Sequence, residues 1–555
     1  MSQDNENAAI LFNFASEMYQ RGIKEEKDNI LLSLPKRFAD LHNCGDLHIH
    51  DLEGYGKVYN CCTPDLYGWL VKKTTAKYNS SFELIMDIFE STKVLIMNIA
   101  FCQTGGIGFA NFDIDISKIL TNSNVDASFE NISFLNHCIR EFICWINKTH
   151  TRYCREPYYV TLNIGLDTTF WGRELTRALL EAFKNSPSYF SRPNIVFKVN
   201  RTINGENTPN YDLFNLALEC TAQRMIPTYL LTECCSNASN RPSEISIMGC
   251  RTRIFENLNG RTGIIGRANL ACVSINLPRI AIKAKKQEII YSLLDDILYA
   301  ARDILIHRSE SLKMYGCKYL QYVIDNHILS ARNLPDLIKN GTLSIGIIGI
   351  AECVEILTGK PPFQSESSQN LAIQIANHIW NRITEFRINT GLNFSLLGTP
   401  GELLSGRFCE LDKKHYPHQI QNKGYYTNSF HVNVDSNISI FEKIDLESPF
   451  HSLFNGGSIS YIELDSAPIG NTLALLDVIE YATNKGIAYL GFNFPYDLCK
   501  HCGYKGTFDS CPVCGSNNIL QLRRISGYIE DASRFTNGKK AELKQRKANK
   551  AKIIQ

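Results

Sequence analysis

Two cysteine pairs near the C-terminus constrain this chain more than any other feature: Cys499-Lys500-His501-Cys502 and, eight residues later, Cys511-Pro512-Val513-Cys514. Each CxxC turn offers two thiolates from one tight knuckle. Two knuckles at this separation close a tetrahedral shell around a single zinc and leave no position for water, so the site is structural. Thirteen residues beyond Cys514 lies Gly527, within Arg523-Arg524-Ile525-Ser526-Gly527-Tyr528. A glycine before a tyrosine is by itself a turn signal. The four zinc-spaced cysteines just upstream give it a fixed setting.

The 555 residues exceed the usual size of a single core, so one large barrel or several domains are both open. Lysine plus arginine (58) nearly balances aspartate plus glutamate (56), which gives no overall field toward nucleic acid or a membrane surface. Nineteen scattered cysteines follow no small-scaffold spacing, and the first residues carry neither a basic n-region nor an apolar h-region. A reducing cytoplasm is expected. The longest apolar stretch, Leu343–Leu357, is interrupted by Ser344 and Glu352 and falls short of the roughly 20 residues that span a bilayer.

No repeat or low-complexity block divides the chain. Apolar residues at Leu371, Ile375, Ile379, Ile383 and Phe386 predict a surface helix, capped by Ser367 or Ser368 and stopped at Gly391. Short apolar runs at Tyr159–Ile164, Asn194–Val199 and Tyr489–Phe494 predict strands, and strands alternating with helices predict α/β architecture. The basic run Lys539–Ala548 predicts a solvated terminal helix.

A radical stored on a backbone needs a Cα hydrogen whose loss leaves a planar centre, and only glycine lacks a side chain to obstruct that planarity. Such a radical needs a thiol to pass the hydrogen-atom deficit onward. Met248-Gly249-Cys250-Arg251 has the form of a tight loop with one thiol at its tip, and sixteen residues beyond that thiol begins Gly266-Arg267-Ala268-Asn269, leading through Cys272 to Asn276. Further segments follow the same order: His48-Ile49-His50-Asp51, Tyr59-Asn60-Cys61-Cys62, Gln103-Thr104-Gly105-Gly106, Thr399-Pro400-Gly401-Glu402, Thr427-Asn428-Ser429 and Asn455-Gly456-Gly457. Together with the RxxGY loop and the zinc knuckles they resemble the oxygen-sensitive, class III ribonucleoside triphosphate reductases of the glycyl radical enzyme group. The match runs from about residue 40 to about residue 540.

The resemblance implies a ten-stranded α/β barrel of two antiparallel halves, each of five parallel strands, with a C-terminal zinc ribbon and glycyl radical loop. Residues 1–495 would form the barrel, with a finger loop around Cys250, and residues 496–555 the zinc-binding and radical domain. The implied activity is reduction of ribonucleoside triphosphates to deoxyribonucleoside triphosphates. The radical would rest on Gly527, the thiyl on Cys250 and the reducing thiol on Cys61, with Cys62 as the competing assignment. Cys499, Cys502, Cys511 and Cys514 would hold Zn2+. Asn269 matches an asparagine of the formate-oxidising branch and implies formate as reductant. Cys272 and the pair Cys234-Cys235 keep a dithiol reductant open.

The implied partners are a separate iron-sulfur enzyme that cleaves S-adenosylmethionine to install the radical, nucleotide specificity effectors and a second copy of the chain in a homodimer. Nucleic acid and membrane are not expected. Longer relatives begin with an effector-binding ATP-cone; with the HxHD motif already at residue 48, no cone is expected here, and on/off control by dATP would be absent or weak. Three alternatives remain, and one is non-enzymatic: the C-terminal ribbon as an interaction module on a degenerate barrel, against which Gly527, Cys250 and Cys61 together argue. Another glycyl radical enzyme, a lyase on a small carboxylate or diol, would share Gly527 and Cys250. A zinc hydrolase could use the His48/His50 pair, with His137 or Asp167 as further ligands, but would leave Gly527 without a role.

Overall fold

Most of the chain's apolar residues form one core outside the barrel, while the inner wall combines polar side chains with a small apolar cluster that includes Val196, Leu230, Tyr461 and Tyr489. The structure, a computed structural model, describes residues 13–551 except 75–77, 150–157, 187–188, 238–240, 421–422 and 526. Ser526 of the RxxGY stretch and the terminal residues of both expected domains therefore lie outside the described residues.

Eleven strands form the large sheet: β1 (Leu47–Ile49), β2 (Cys61–Thr63), β3 (Ile107–Phe109), β4 (Val160–Ile164), β5 (Asn194–Val199), β6 (Thr228–Leu231), β7 (Arg267–Asn276), β8 (Thr342–Ile348), β9 (Asn393–Leu397), β10 (Ser460–Glu463) and β11 (Tyr489–Asn493). Strands β2 to β6 pair in parallel, each with the next, as do β7 with β8, β8 with β9 and β10 with β11. The two halves meet antiparallel at β2/β7 and β6/β11. A parallel bridge between Leu397 and Gly457 closes the ring between β9 and β10. The result is the ten-stranded barrel of two five-stranded halves, with β1 added to an edge of β7.

Strand alternation sorts the two faces. Val160, Leu162, Leu343, Ile345, Phe394 and Leu396 point outward into one continuous apolar core shared with the surrounding helices. Their neighbours Thr161, Asn163, Ser344 and Ser395 are buried on the other face. Buried polar groups need partners, and these find one another: Ser344 Oγ lies 2.9 Å from Ser395 Oγ, and Ser274 Oγ 2.8 Å from Thr399 Oγ1.

A second, four-stranded sheet follows: β12 (Tyr496–Cys499), β13 (Lys505–Gly506), β14 (Ile519–Arg524) and β15 (Ile529–Asp531), all antiparallel. The predicted surface helix is present as Glu366–Thr390, with Gly391 at its C-cap. Its N-cap is Ser365, ahead of the expected Ser367 or Ser368, because the helix already starts at Glu366, directly after the turn Pro362–Gln364.

The basic tail departs from expectation. Helix Asn537–Gln545 is docked, not solvated: Lys539 and Glu542 are 1% and 2% exposed and pair at 3.1 Å. Arg546 bridges Glu542 and Glu463. The helix crosses Leu404–His415 at Gly406 and Gly538. No described helix is long and apolar enough to cross a membrane.

Candidate active site

Two loops meet inside the barrel. The first is a tight reversal in which Met248 N–H donates to Thr252 O (2.8 Å), with Gly249 in the left-handed region (φ 66°). A side chain would be strained there, and the turn presents Cys250 at its tip. The second loop joins β14 to β15 and carries Gly527, which is buried. A Cβ at Gly527 would stand 2.8 Å from Cys250 Cβ and 3.6 Å from Cys250 Sγ. No side chain fits. Glycine is required here by the closeness of the thiol loop.

Cys61 lies on β2 directly across from Asn269 on β7. Its Sγ accepts from Gly106 N–H (3.2 Å) and faces the thiol loop, packing with Met248. Cys62 points the other way. It is fully buried in the outer core, with Sγ 3.4 Å from Gln103 Oε1 and 3.6 Å from Tyr59 OH. The sequence left these neighbours unresolved; strand alternation turns only Cys61 toward Cys250.

Burial dominates the electrostatics. It pushes the Cys61 thiol well above its ordinary range, opposed by the Gly106 hydrogen bond. Cys250, half-buried, is pushed up to about 12 by burial and by the Glu402 carboxylate beside it, with Arg251 acting in the opposite sense. Both therefore keep S–H at neutral pH, whereas nucleophilic cysteines are made reactive by a lowered pKa. Glu402 itself is buried, its carboxyl raised by desolvation against the pull of Arg251 and Lys539. Its Oε1 would be 3.6 Å from a Cβ at Gly527.

Asn269 is fully buried. Its Oδ1 accepts from Thr342 (3.1 Å) and Ser344 (3.0 Å), while Nδ2 makes only a long contact to Asn60 Oδ1 (3.4 Å). Asn60 is held by Asp51 (2.8 Å). With one N–H given to Asn60, the second amide N–H of Asn269 is left as a donor inside the barrel. Cys272 is buried beside Ser274 and Asp51. Cys234 is buried and Cys235 exposed.

Cys499, Cys502, Cys511 and Cys514 bring their sulfurs within 4.8 Å of one another, with Sγ pairs at 3.6 Å (Cys499–Cys514) and 3.5 Å (Cys502–Cys511). An S4 shell with metal–sulfur bonds of about 2.3 Å has edges of about 3.8 Å, so the donor set and its size fit a tetrahedral thiophilic cation. Cys499 pairs in register with Ile519 at the start of β14, and β14 runs straight into the glycine loop. The His48/His50 reading finds no support. His50 is bonded to Ser274 (2.8 Å), Asp167 to Ser117 and the Thr169 amide, and among the described residues the four cysteines are the one metal-like cluster.

Residues 5–548 match the family described as anaerobic ribonucleoside-triphosphate reductase. The chain belongs to that family. The anaerobic ribonucleoside-triphosphate reductase of Escherichia coli (strain K12) is 32% identical over 564 residues, covering 92% of this chain and 78% of that protein. The one from Enterobacteria phage T4 is 29% identical over 570 residues, covering 92% and 91%. Among solved structures, the anaerobic ribonucleotide reductase of Thermotoga maritima in complex with dATP and CTP shares the fold with a TM-score of 0.72 at 15% identity, over 96% of this chain and 92% of that one. An anaerobic ribonucleoside-triphosphate reductase is an oxidoreductase. Membership answers the choice between reductase and lyase that the glycine and thiol alone left open. Sequence reasoning quoted Glu402, Tyr528 and the strand containing Thr161 and Asn163 without giving them roles; polar residues alternating through an otherwise apolar strand were the available signal.

Proposed function

We propose that this reductase works by radical chemistry, storing the radical on Gly527 and passing it to Cys250. The approach of Gly527 to the Cys250 thiol carries this reading. The Cys250 thiyl removes the ribose 3'-hydrogen, water leaves from C2', and Cys61 supplies a hydrogen atom from its un-ionised thiol. Formate is the reductant, so that ribonucleoside triphosphate, formate and a proton give deoxyribonucleoside triphosphate, carbon dioxide and water. The second amide N–H of Asn269, not taken by Asn60 and across the strand pair from Cys61, suits a carboxylate oxygen.

Zinc held by the four thiolates would fix β12 against β14 and so the base of the glycine loop, with no coordination site open for water. The buried Gly527 calls for a separate radical S-adenosylmethionine enzyme to install the radical, because the chain has no CxxxCxxC run of its own to hold the necessary cluster. Ribonucleoside triphosphate substrates and nucleotide effectors are inferred from family membership and from the dATP and CTP bound by the Thermotoga relative. A homodimer is supported by one face of helix Ser81–Ala100, where Phe82, Met86 and Met97 are 42%, 50% and 40% exposed and Phe101 follows at 63%.

The test is anaerobic activation followed by an assay with isotopic formate. Wild-type protein should show a glycyl radical signal and release labelled carbon dioxide in step with deoxynucleotide. Gly527→Ala should show neither. Turnover in Gly527→Ala refutes the radical site; deoxynucleotide formed without labelled carbon dioxide refutes formate alone.

A further inference from the structure

Strand β4 meets both chemically active loops with a single face. Val160, Leu162 and Ile164 belong to the outer shell, so Tyr159, Thr161 and Asn163 turn toward the barrel interior at two-residue spacing. At one end Asn163 treats the thiol loop as a neighbouring strand would. Its Nδ2 donates to Ile247 O (3.0 Å) and its Oδ1 accepts from Ile247 N–H (2.9 Å). A further bond from Nδ2 to Phe109 O (2.9 Å) fixes the plane of the amide.

At the middle position the Thr161 hydroxyl donates to the carbonyl of Gly249, the residue before Cys250. Asn194, the register partner of Thr161 on β5, donates to Thr161 Oγ1 (3.5 Å) and so leaves the hydroxyl hydrogen for Gly249. At the other end the Tyr159 ring packs on Tyr528, the residue after Gly527, with centroids 4.7 Å apart. Arg192 lies over the Tyr159 ring (4.9 Å) and pairs with buried Glu530 on β15. The Tyr528 hydroxyl packs beside Gly106 and Gly249, which brings the two loops into contact.

We infer that Tyr159, Thr161 and Asn163 form a positioning rail that sets the separation of Gly527 and Cys250 and so governs transfer of the hydrogen atom between them. This rests on the reading of Gly527 and Cys250 given above. The step it serves balances within the chain: the Cys250 S–H bond breaks homolytically, a C–H bond forms at Gly527 Cα, and the unpaired electron passes to sulfur without another reactant. The three residues act through the backbone of the thiol loop and through Tyr528. A misplacement of reacting groups by about 1 Å can cost on the order of a hundredfold in rate, so small slackness in the rail is enough to be seen.

Thr161→Val keeps the side-chain shape and removes the bond to Gly249; Thr161→Ser restores a hydroxyl. Each full-length variant is activated anaerobically, its glycyl radical is counted by electron paramagnetic resonance, and kcat and KM for ribonucleoside triphosphate are normalised to that count. Thr161→Val should keep the wild-type radical yield and a KM within about twofold, yet lose roughly tenfold or more of kcat per radical. Thr161→Ser should recover most of the loss. Wild-type kcat per radical in Thr161→Val overturns the rail, and so does a loss that follows radical yield alone, which marks a folding role. A wild-type enzyme that turns over without any glycyl radical instead overturns the reading beneath it.

Discussion

A residue that gives up a hydrogen atom must first retain it. Burial raises Cys61 well above the ordinary thiol range and Cys250 to about 12, so both stay protonated well beyond neutrality. Turnover per radical should therefore remain level as pH rises through 9.0, the ordinary thiol value, and decline only toward the raised one. A pH–rate profile that halves near 9 would contradict the shift. Cys250→Ser should accept the radical on Gly527 and reduce turnover to background, since an alcohol O–H is too strong to surrender its hydrogen atom. Cys61→Ser should fail likewise while Cys62→Ser stays active, because only Cys61 faces the thiol loop; single-turnover assays of the three variants decide it. That Gly527, Cys250, Cys61 and Asn269 would be gathered in one chamber was legible in the sequence because motifs name them. Glu402 was not legible as a neighbour of Gly527, since its approach is made by a segment far away along the chain.

Among elements, β14 joins two sites that the sequence presents as separate motifs. Its first residue pairs with Cys499, and its last leads into the loop of Gly527. Cys511→Ala should therefore lower metal content and suppress radical formation while the barrel remains folded and able to bind nucleotide. Metal analysis beside a radical count checks this: metal lost with radical yield unchanged would break the coupling. Strand Asn194–Val199 was legible to the residue because turn signals bound a short β-branched and aromatic run. The tail helix was not, since its charged run has the composition of a solvated face. Lys539 is buried only because Glu542, on the same helix, and Glu402, from another element, supply the opposite charge. Strands of three residues such as β2 and β3 are too short to show a period, so the barrel itself was visible through family motifs and not through periodicity.

At the scale of the whole molecule, the homodimer proposed above would be built on the exposed apolar face of helix Ser81–Ala100. Met97→Glu would place a charge in that face and should weaken self-association by ~3 kcal/mol, about a hundredfold in the dimer constant. Sedimentation across a concentration series measures it, and an unchanged association constant would remove this helix from the interface. The hydroxyls and amides on the inner wall have a separate consequence. A barrel lined with leucine alone would dewet or shrink once its loops withdrew, but the stretch lined by Thr161, Asn163, Ser344 and Ser395 is already wettable. If the glycine loop withdraws for the activation proposed above, water would enter the vacated chamber at little cost beside these groups, and the scaffold would keep its shape because most of its apolar cohesion lies in the outer jacket. On the radical reading proposed above, return of the loop would act as a piston, draining the chamber before the unpaired electron is released into it.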